Sequence, residues 1–191
     1  MRATFPSEAE LKKVIKEYNA VEGGKQTLAR LADYLGEKQA GTLVITRLFD
    51  APRKDVWKAW TDPAAFKKWW GPKDFTCPVA KMDLKKGGKY HWCMRGPDGK
   101  DYWTTGEFLE VSPMGRLVYT DNFADEKGNV VSPEKYGMTG KWGKMLVTVT
   151  LEDNGKRTKM TLKHTGLPAG EMSEMTGAGW NQSFDKLAAS L

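Results

Sequence analysis

The sequence predicts an α+β domain in which a seven-stranded antiparallel sheet curves around one long C-terminal helix. Two observations carry this. Six segments between residues 75 and 164 alternate apolar and polar residues at period two, with turn chemistry between most of them. The stretch Glu171–Leu191 changes period, so that Trp180, Phe184, Leu187 and Leu191 recur at spacings of four, three and four on one helical face. Lys186 and Asp185 point away from that stripe. Followed towards the N-terminus, the stripe becomes Gly177, Thr176 and Ser173, small and partly polar. A sheet wrapped around such a helix fills one half with bulky side chains and leaves unfilled space beside the other, which predicts a cavity.

Before this domain, Ser7 with Glu10 is a capping-box pattern. Leu11, Val14, Ile15 and Tyr18, then Leu28, Leu31, Ala32 and Leu35, give two helical faces separated by Gly23-Gly24. Residues 1–41 are therefore expected to form a helical hairpin extension, too small to hold a core of its own, with the main domain over 42–191. Thr42–Phe49 is the first strand. Two short helices follow: Pro52 opens the first, with Val56 and Trp60 on its face, and Asp62-Pro63 opens the second as N-cap and first residue. Phe66, Trp69 and Trp70 give it an apolar side, and Gly71-Pro72 ends it.

The remaining strands are expected over 75–84, 89–95, 102–111, 116–123, 145–152 and 159–164. Gly87-Gly88, Pro97-Asp98-Gly99, Ser112-Pro113-Met114-Gly115 and Asp153-Asn154-Gly155 serve as turns. Such short links imply an antiparallel meander. The exception is the long, Gly-bearing connection 124–144, read as a lid. Alternation points Tyr90, Trp92 and Met94, Tyr119 and Phe123, Val147 and Val149, and Met160 and Leu162 towards the helix.

The chain has 191 residues and a formal net charge of +6. Arg53–Lys100 holds twelve basic against five acidic residues, whereas 101–191 holds ten against twelve. This basic stretch reads either as an anionic-partner surface or as ordinary solvated faces. No aromatic-interleaved or base-reading motif accompanies it, so nucleic acid is not an expected partner. No apolar run approaches the roughly 20 residues of a membrane span. The N-terminal residues show no secretory core, and two cysteines, Cys77 and Cys93, make no disulfide framework; a cytoplasmic location is expected.

Catalytic patterns are sparse. His164 ends the last strand in phase with Met160 and Leu162, and reads either as a ligand donor or general base at the cavity mouth or as a hydrogen-bonded strand-end histidine. His91, Cys93, Cys77 and His164 lack metal-ligand spacing. Neither a nucleophile elbow nor a phosphate-cradling glycine loop is present, and no metal or cofactor is expected. Eight Trp and nine Met supply rigid area and adaptable filling. Trp70, Trp92, Trp142, Met138, Met160 and Trp180 read equally as core or as cavity lining. Together with the inward Tyr90, Met94, Tyr119 and Phe123, and with His164 and Thr176, they form the candidate ligand-binding set. The facing of the strand acids Glu110 and Asp121 stays open; either would need a partner if turned inward.

Residues 43–74 (LVITRLFDAPRKDVWKAWTDPAAFKKWWGPKD), with MRGPD at 94–98, GEFLEV at 106–111, KHTGLP at 163–168 and GWNQSFDKLAASL at 179–191, resemble the activator-of-Hsp90-ATPase-like branch of the START/Bet v 1 helix-grip (SRPBCC) superfamily. The resemblance spans about 42–191 and implies a sheet gripping the last helix around a deep apolar cavity. It implies no single activity, because members bind hydrophobic small molecules, regulate partners or catalyse. Co-chaperone activity belongs to a two-domain architecture whose N-terminal module is not seen here, and it is not carried over. The first expectation is a cytosolic protein binding a hydrophobic or aromatic small molecule. The second is a stress-response or protein-interaction adaptor acting through residues 1–40 or the basic 53–100 region. The third is a cavity enzyme, a hydrolase or cyclase, using His164 and an inward acid.

Overall fold

The structure, a computed structural model, describes residues 41–191. The helical hairpin expected over 7–36 lies outside the described residues. Strand β1 (Gly41–Phe49) is followed by helices α1 (Arg53–Thr61) and α2 (Pro63–Phe66), then by β2 (Thr76–Met82), β3 (Lys89–Arg95), β4 (Asp101–Ser112) and β5 (Arg116–Ala124). After a 3₁₀ turn (Pro133–Tyr136) come β6 (Met145–Asn154), β7 (Arg157–Leu167) and the 20-residue α3 (Glu171–Ser190). The strands form one seven-stranded antiparallel sheet in the order β1-β7-β6-β5-β4-β3-β2. This is the α+β helix-grip arrangement.

Sequence chemistry accounts for the junctions. Asp62 caps α2, its carboxylate accepting from the Ala65 N–H at 2.8 Å, with Pro63 in the first turn where no N–H is needed. From β2 to β7 every strand pairs with the next in sequence. β1 instead pairs with β7, from Leu43 opposite His164 to Phe49 opposite Thr158. That register places Leu43, His164, Val147, Tyr119 and Phe108 in one row across five strands on the face towards α3. A bulge between Phe108 and Glu110 shifts the alternation of β4, so Phe108 is buried and Leu109 is exposed.

Between sheet and helices lies a core rich in rings. Trp60, Trp69, Phe66, Trp92, Tyr90, Tyr119 and Phe184 are each no more than 2% exposed. Trp60 packs on Trp69 at 4.7 Å between centroids, Phe66 on Trp92 at 4.5 Å, and Phe184 on Trp180 at 5.5 Å. Such pairs add about 0.5–1.5 kcal/mol each beyond the area they bury.

Two expectations about α3 are corrected and one is extended. Leu191, placed on the buried stripe, is 42% exposed, because the helix ends at Ser190 and Leu191 stands outside it. Lys186, read only as pointing away from the stripe, is half-buried: its Nζ donates to the carbonyls of Gly71, Pro72 and Phe75 at 3.0, 3.2 and 2.8 Å. The ammonium thus ties α3 to the turn after α2, and burial lowers its pKa from the usual lysine value. Finally, a Cβ on Gly177 would lie 3.3 Å from Leu43 Cδ1, and one on Gly41 would lie 3.4 Å from Ser173 Oγ. The small residues of α3 let the helix approach β1 closely, so their size serves contact and not empty space.

The connection 124–144 is anchored at both ends. Val131 N–H bonds the Phe123 carbonyl at 2.9 Å, and Gly143 N–H bonds the Gly166 carbonyl at 2.8 Å. The buried Tyr136 donates its hydroxyl hydrogen to the Ala124 carbonyl at 2.6 Å. Among the described residues, no helix is long and apolar enough to cross a membrane.

Candidate functional site

Strands β3, β5 and β7, with the facing side of α3, bring four polar side chains together inside the aromatic core. The indole N–H of Trp180, on α3, donates to His164 Nδ1 on β7 at 3.2 Å. An indole nitrogen is only a donor, so Nδ1 must accept and the imidazole proton sits on Nε2. His164 Nε2 faces Asp121 Oδ2 at 3.8 Å. This exceeds hydrogen-bond length. The other carboxylate oxygen, Oδ1, accepts from the Tyr90 hydroxyl at 2.8 Å, and the same hydroxyl lies 3.0 Å from the Thr120 carbonyl.

Tyr90 reaches β5 from β3 only because Gly106 stands between them on β4. A Cβ at that position would overlap the Thr120 carbonyl and come within 2.7 Å of Tyr90 Cε1. Gly106 is Tyr90's register partner, so the phenol ring lies across a bare backbone.

Burial governs the electrostatics. His164 is 4% exposed, and desolvation lowers its pKa below the usual histidine value, with the Asp121 charge pulling the other way. The His164–Asp121 approach is therefore a neutral imidazole beside a carboxylate and not an ion pair. Tyr90 and Tyr119 are pushed well above the usual phenol range, first by burial and then by the Asp121 charge. All three are neutral near pH 7, and each keeps its proton.

Several polar atoms in this region are buried with no protein partner: His164 Nε2, Tyr119 OH, Trp70 Nε1, Trp92 Nε1, Thr104 Oγ1 and Trp142 Nε1. Leaving such a group unsatisfied costs about 1–3 kcal/mol. Four of these side chains share one set of packed rings, with Trp70 4.9 Å from Trp92 and 5.3 Å from Trp180, Tyr119 5.4 Å from both Tyr90 and Trp92, and His164 6.2 Å from Trp180. Asp121 retains 18% side-chain exposure, so the cluster reaches solvent at one point.

The expected residues thus divide. Trp70, Tyr90, Trp92, Tyr119, His164 and Trp180 converge. Met160 is fully buried and accepts from the Trp60 indole N–H at 3.3 Å through its sulfur, as part of the core beneath. Phe123 and Trp142 meet edge-on at 5.2 Å, joining β5 to the 124–144 connection. Met94 packs at the rim, where a Cβ on Gly71 would touch its Cγ and Sδ at 3.4 Å. Met138 is half-buried just after the 3₁₀ turn. Thr176 donates to the Met172 carbonyl of its own helix at 2.8 Å, which occupies its hydroxyl hydrogen locally. Asp121, left open by the sequence, faces inward; it lies in phase between Tyr119 and Phe123, a signal the alternation contained. Glu110 instead pairs with Arg116 at 3.0 Å on a partly exposed surface.

Two surface recesses lie elsewhere. One, of about 430 Å³, is lined by Lys81, Lys89, His91 and Lys127 among others. The second, of about 210 Å³, lies between α1, α2 and the end of α3. Neither borders Ser173, Thr176 and Gly177. Among the described residues no three His, Cys, Asp or Glu side chains group as metal ligands. Cys77 and Cys93 are free and buried, with pKa values pushed up to about 11 and about 12, first of all by desolvation, and so are poor nucleophiles at neutral pH.

Comparison with known proteins agrees with this architecture. A crystal structure of a Chromobacterium violaceum protein is 31% identical, with 78% of this chain and 94% of that one covered, at a TM-score of 0.65. An NMR structure of an Arthrobacter aurescens protein is 29% identical over 79% and 86% of the two chains, with a TM-score of 0.66. The AHSA1 protein of Silicibacter pomeroyi, at 24% identity over 78% and 96%, shares the fold with a TM-score of 0.65. No curated protein matches the chain. The family model described as Activator of Hsp90 ATPase homolog 1-like protein matches residues 50–191. The chain belongs to that family.

Proposed function

We propose that this protein binds a hydrophobic or aromatic small molecule in the cytoplasm, between the concave face of the sheet and α3. The family's fold suggests a ligand-binding or adaptor role. What supports the first is the set of buried, unpartnered polar atoms among aromatic rings, above all His164 Nε2 and Tyr119 OH. A core made only for stability gains nothing from such atoms. A ligand site needs a few fixed polar groups in an apolar wall. Entry requires the buried Trp70 and Trp180, at 7% the least enclosed rings of the cluster, to swing outward while the fully buried floor stays in place.

Native mass spectrometry of protein purified from its own cells would look for a co-purified small molecule. Titration of tryptophan fluorescence with a broad apolar panel would test saturable binding. The absence of any saturable response across that panel would sink the reading.

The second reading is an adaptor that holds an anionic partner at the basic recess. Lys81, Lys89 and Lys127 line it, and Asp83, which lines it too, is already paired with Lys85 at 2.8 Å. Pull-downs with the full chain, with residues 1–40 deleted and with Lys81→Glu/Lys89→Glu would separate the two readings. Partner capture lost with the charge reversal while apolar binding persists would favour the adaptor.

A further inference from the structure

We infer that the ligand is a neutral molecule carrying a hydroxyl on an apolar, ring-sized body, with the hydroxyl oxygen seated between His164 Nε2 and Asp121 Oδ2. The inference rests on the small-molecule reading above and adds the chemical class of what is bound.

Each polar atom at this point has a fixed role. The Trp180 indole occupies His164 Nδ1, so Nε2 carries a hydrogen and offers one donor. The Tyr90 hydroxyl occupies Asp121 Oδ1, so Oδ2 offers one acceptor. The two atoms stand 3.8 Å apart, too far to satisfy each other. An oxygen placed about 2.8 Å from each closes a triangle with an angle of about 85° at that oxygen, within reach of both hydrogen bonds.

The geometry selects a chemistry. A group bound there must accept from Nε2–H and donate to Oδ2 through a single atom, which a hydroxyl does. A ligand carboxylate would set a second negative charge against Asp121. An ammonium would have nothing with which to accept from Nε2–H, and an ether or ketone nothing to donate to Oδ2. Trp180 packs edge-on to His164 at 6.2 Å, and Trp70 and the Trp92–Tyr119 pair continue the aromatic wall behind them, a surround that suits an aromatic or alicyclic body.

The probes are four compounds of one shape: β-naphthol, its methyl ether, naphthalene and β-naphthoate. They are titrated calorimetrically into the full chain near pH 7. The expected result is that β-naphthol binds at least about ten-fold more tightly than the ether or naphthalene, the effect of one net hydrogen bond to a buried site, with β-naphthoate weakest. His164→Phe and Asp121→Leu, each checked for folding by its melting curve, should bring β-naphthol and the ether together while the affinity for the ether stays put. If neither variant folds, the wild-type imidazole decides: the His164 Nε2–H proton and nitrogen resonances should shift with β-naphthol and not with the ether. Equal affinity for β-naphthol and its ether overturns the hydroxyl assignment and leaves the container standing. Tightest binding of β-naphthoate overturns it in favour of an anion site. A β-naphthol preference without a shift at His164 overturns the seat. Failure of all four to bind overturns the ring-bodied hydroxyl class, while the container reading falls only if the broad apolar panel fails as well.

Discussion

His164 gives the most direct handle on the buried cluster, because its protonation is opposed by burial. Its folded-state pKa lies below the unfolded value of about 6.5. Above that value both states are neutral and the group contributes no pH dependence. As pH falls below it, the unfolded chain takes up a proton that the folded chain resists, so stability is lost on acidification. From pH 6.5 to 5.5 the loss has an upper bound of about 1 kcal/mol, and its slope cannot exceed roughly 1.4 kcal/mol per pH unit for one proton. In a domain of this size that is about 2–4 °C in Tm. We predict that urea unfolding across pH 5.5–7.5 shows this loss in the wild type and that His164→Gln, whose side chain still offers Trp180 an acceptor, removes it. The difference between the two proteins cancels every other titrating group that the substitution leaves alone. Parallel curves would refute the reasoning. A wild type that gains on its variant as pH falls would refute it too, by showing that attraction to Asp121 at 3.8 Å outweighs desolvation.

Three further outcomes follow from the same geometry. Lys186→Met removes the ammonium shared by three carbonyls and should cost about 2 kcal/mol in chemical denaturation, with increased hydrogen exchange confined to the 71–75 turn; an unchanged midpoint would show that water replaces it freely. Gly106→Ala forces a methyl group into the Thr120 carbonyl and the Tyr90 ring, so about 3 kcal/mol should be lost, with Tyr90 displaced from Asp121. A wild-type melting curve would contradict the crowding. By contrast, Arg47→Ala breaks an exposed pair with Asp185 at 3.0 Å and should change stability by no more than about 1 kcal/mol, less at high salt.

How far the sequence could be read depends on what each residue's role requires. Trp180, Phe184 and Leu187 announce a buried stripe by spacing alone, and the structure buries all three. Asp62-Pro63 announces a helix start through local chemistry, and the cap is there. Asp121 was within reach, since period two carries the inward phase of Tyr119 to it. Its partners were not: Tyr90 comes from two strands away and across Gly106, a contact set by the sheet's width and not by local pattern. Lys186 and Gly177 show the same limit. A lysine beside a helical stripe reads as solvated until the carbonyls it caps are known, and a small residue reads as space or as close contact depending on the strand opposite. β2 is shorter than the alternation indicated, ending at Met82, whereas β7 runs on to Leu167 because β1 supplies a partner there and β6 one as far as Thr165.

The strand order carries a kinetic consequence. β2 through β5 are joined by tight turns and assemble from neighbours in sequence, whereas β1 must find β7 across more than a hundred residues, Gly41 meeting Leu167. Closing so long a loop is entropically expensive and is repaid only once β7 and β6 are paired. β1 should therefore join late, and weakening it with Ile45→Ala should speed unfolding while barely slowing refolding. Until it arrives, the flank of β7 stands open to any passing strand, and the earliest-made of the described strands is the last to take its place at that edge.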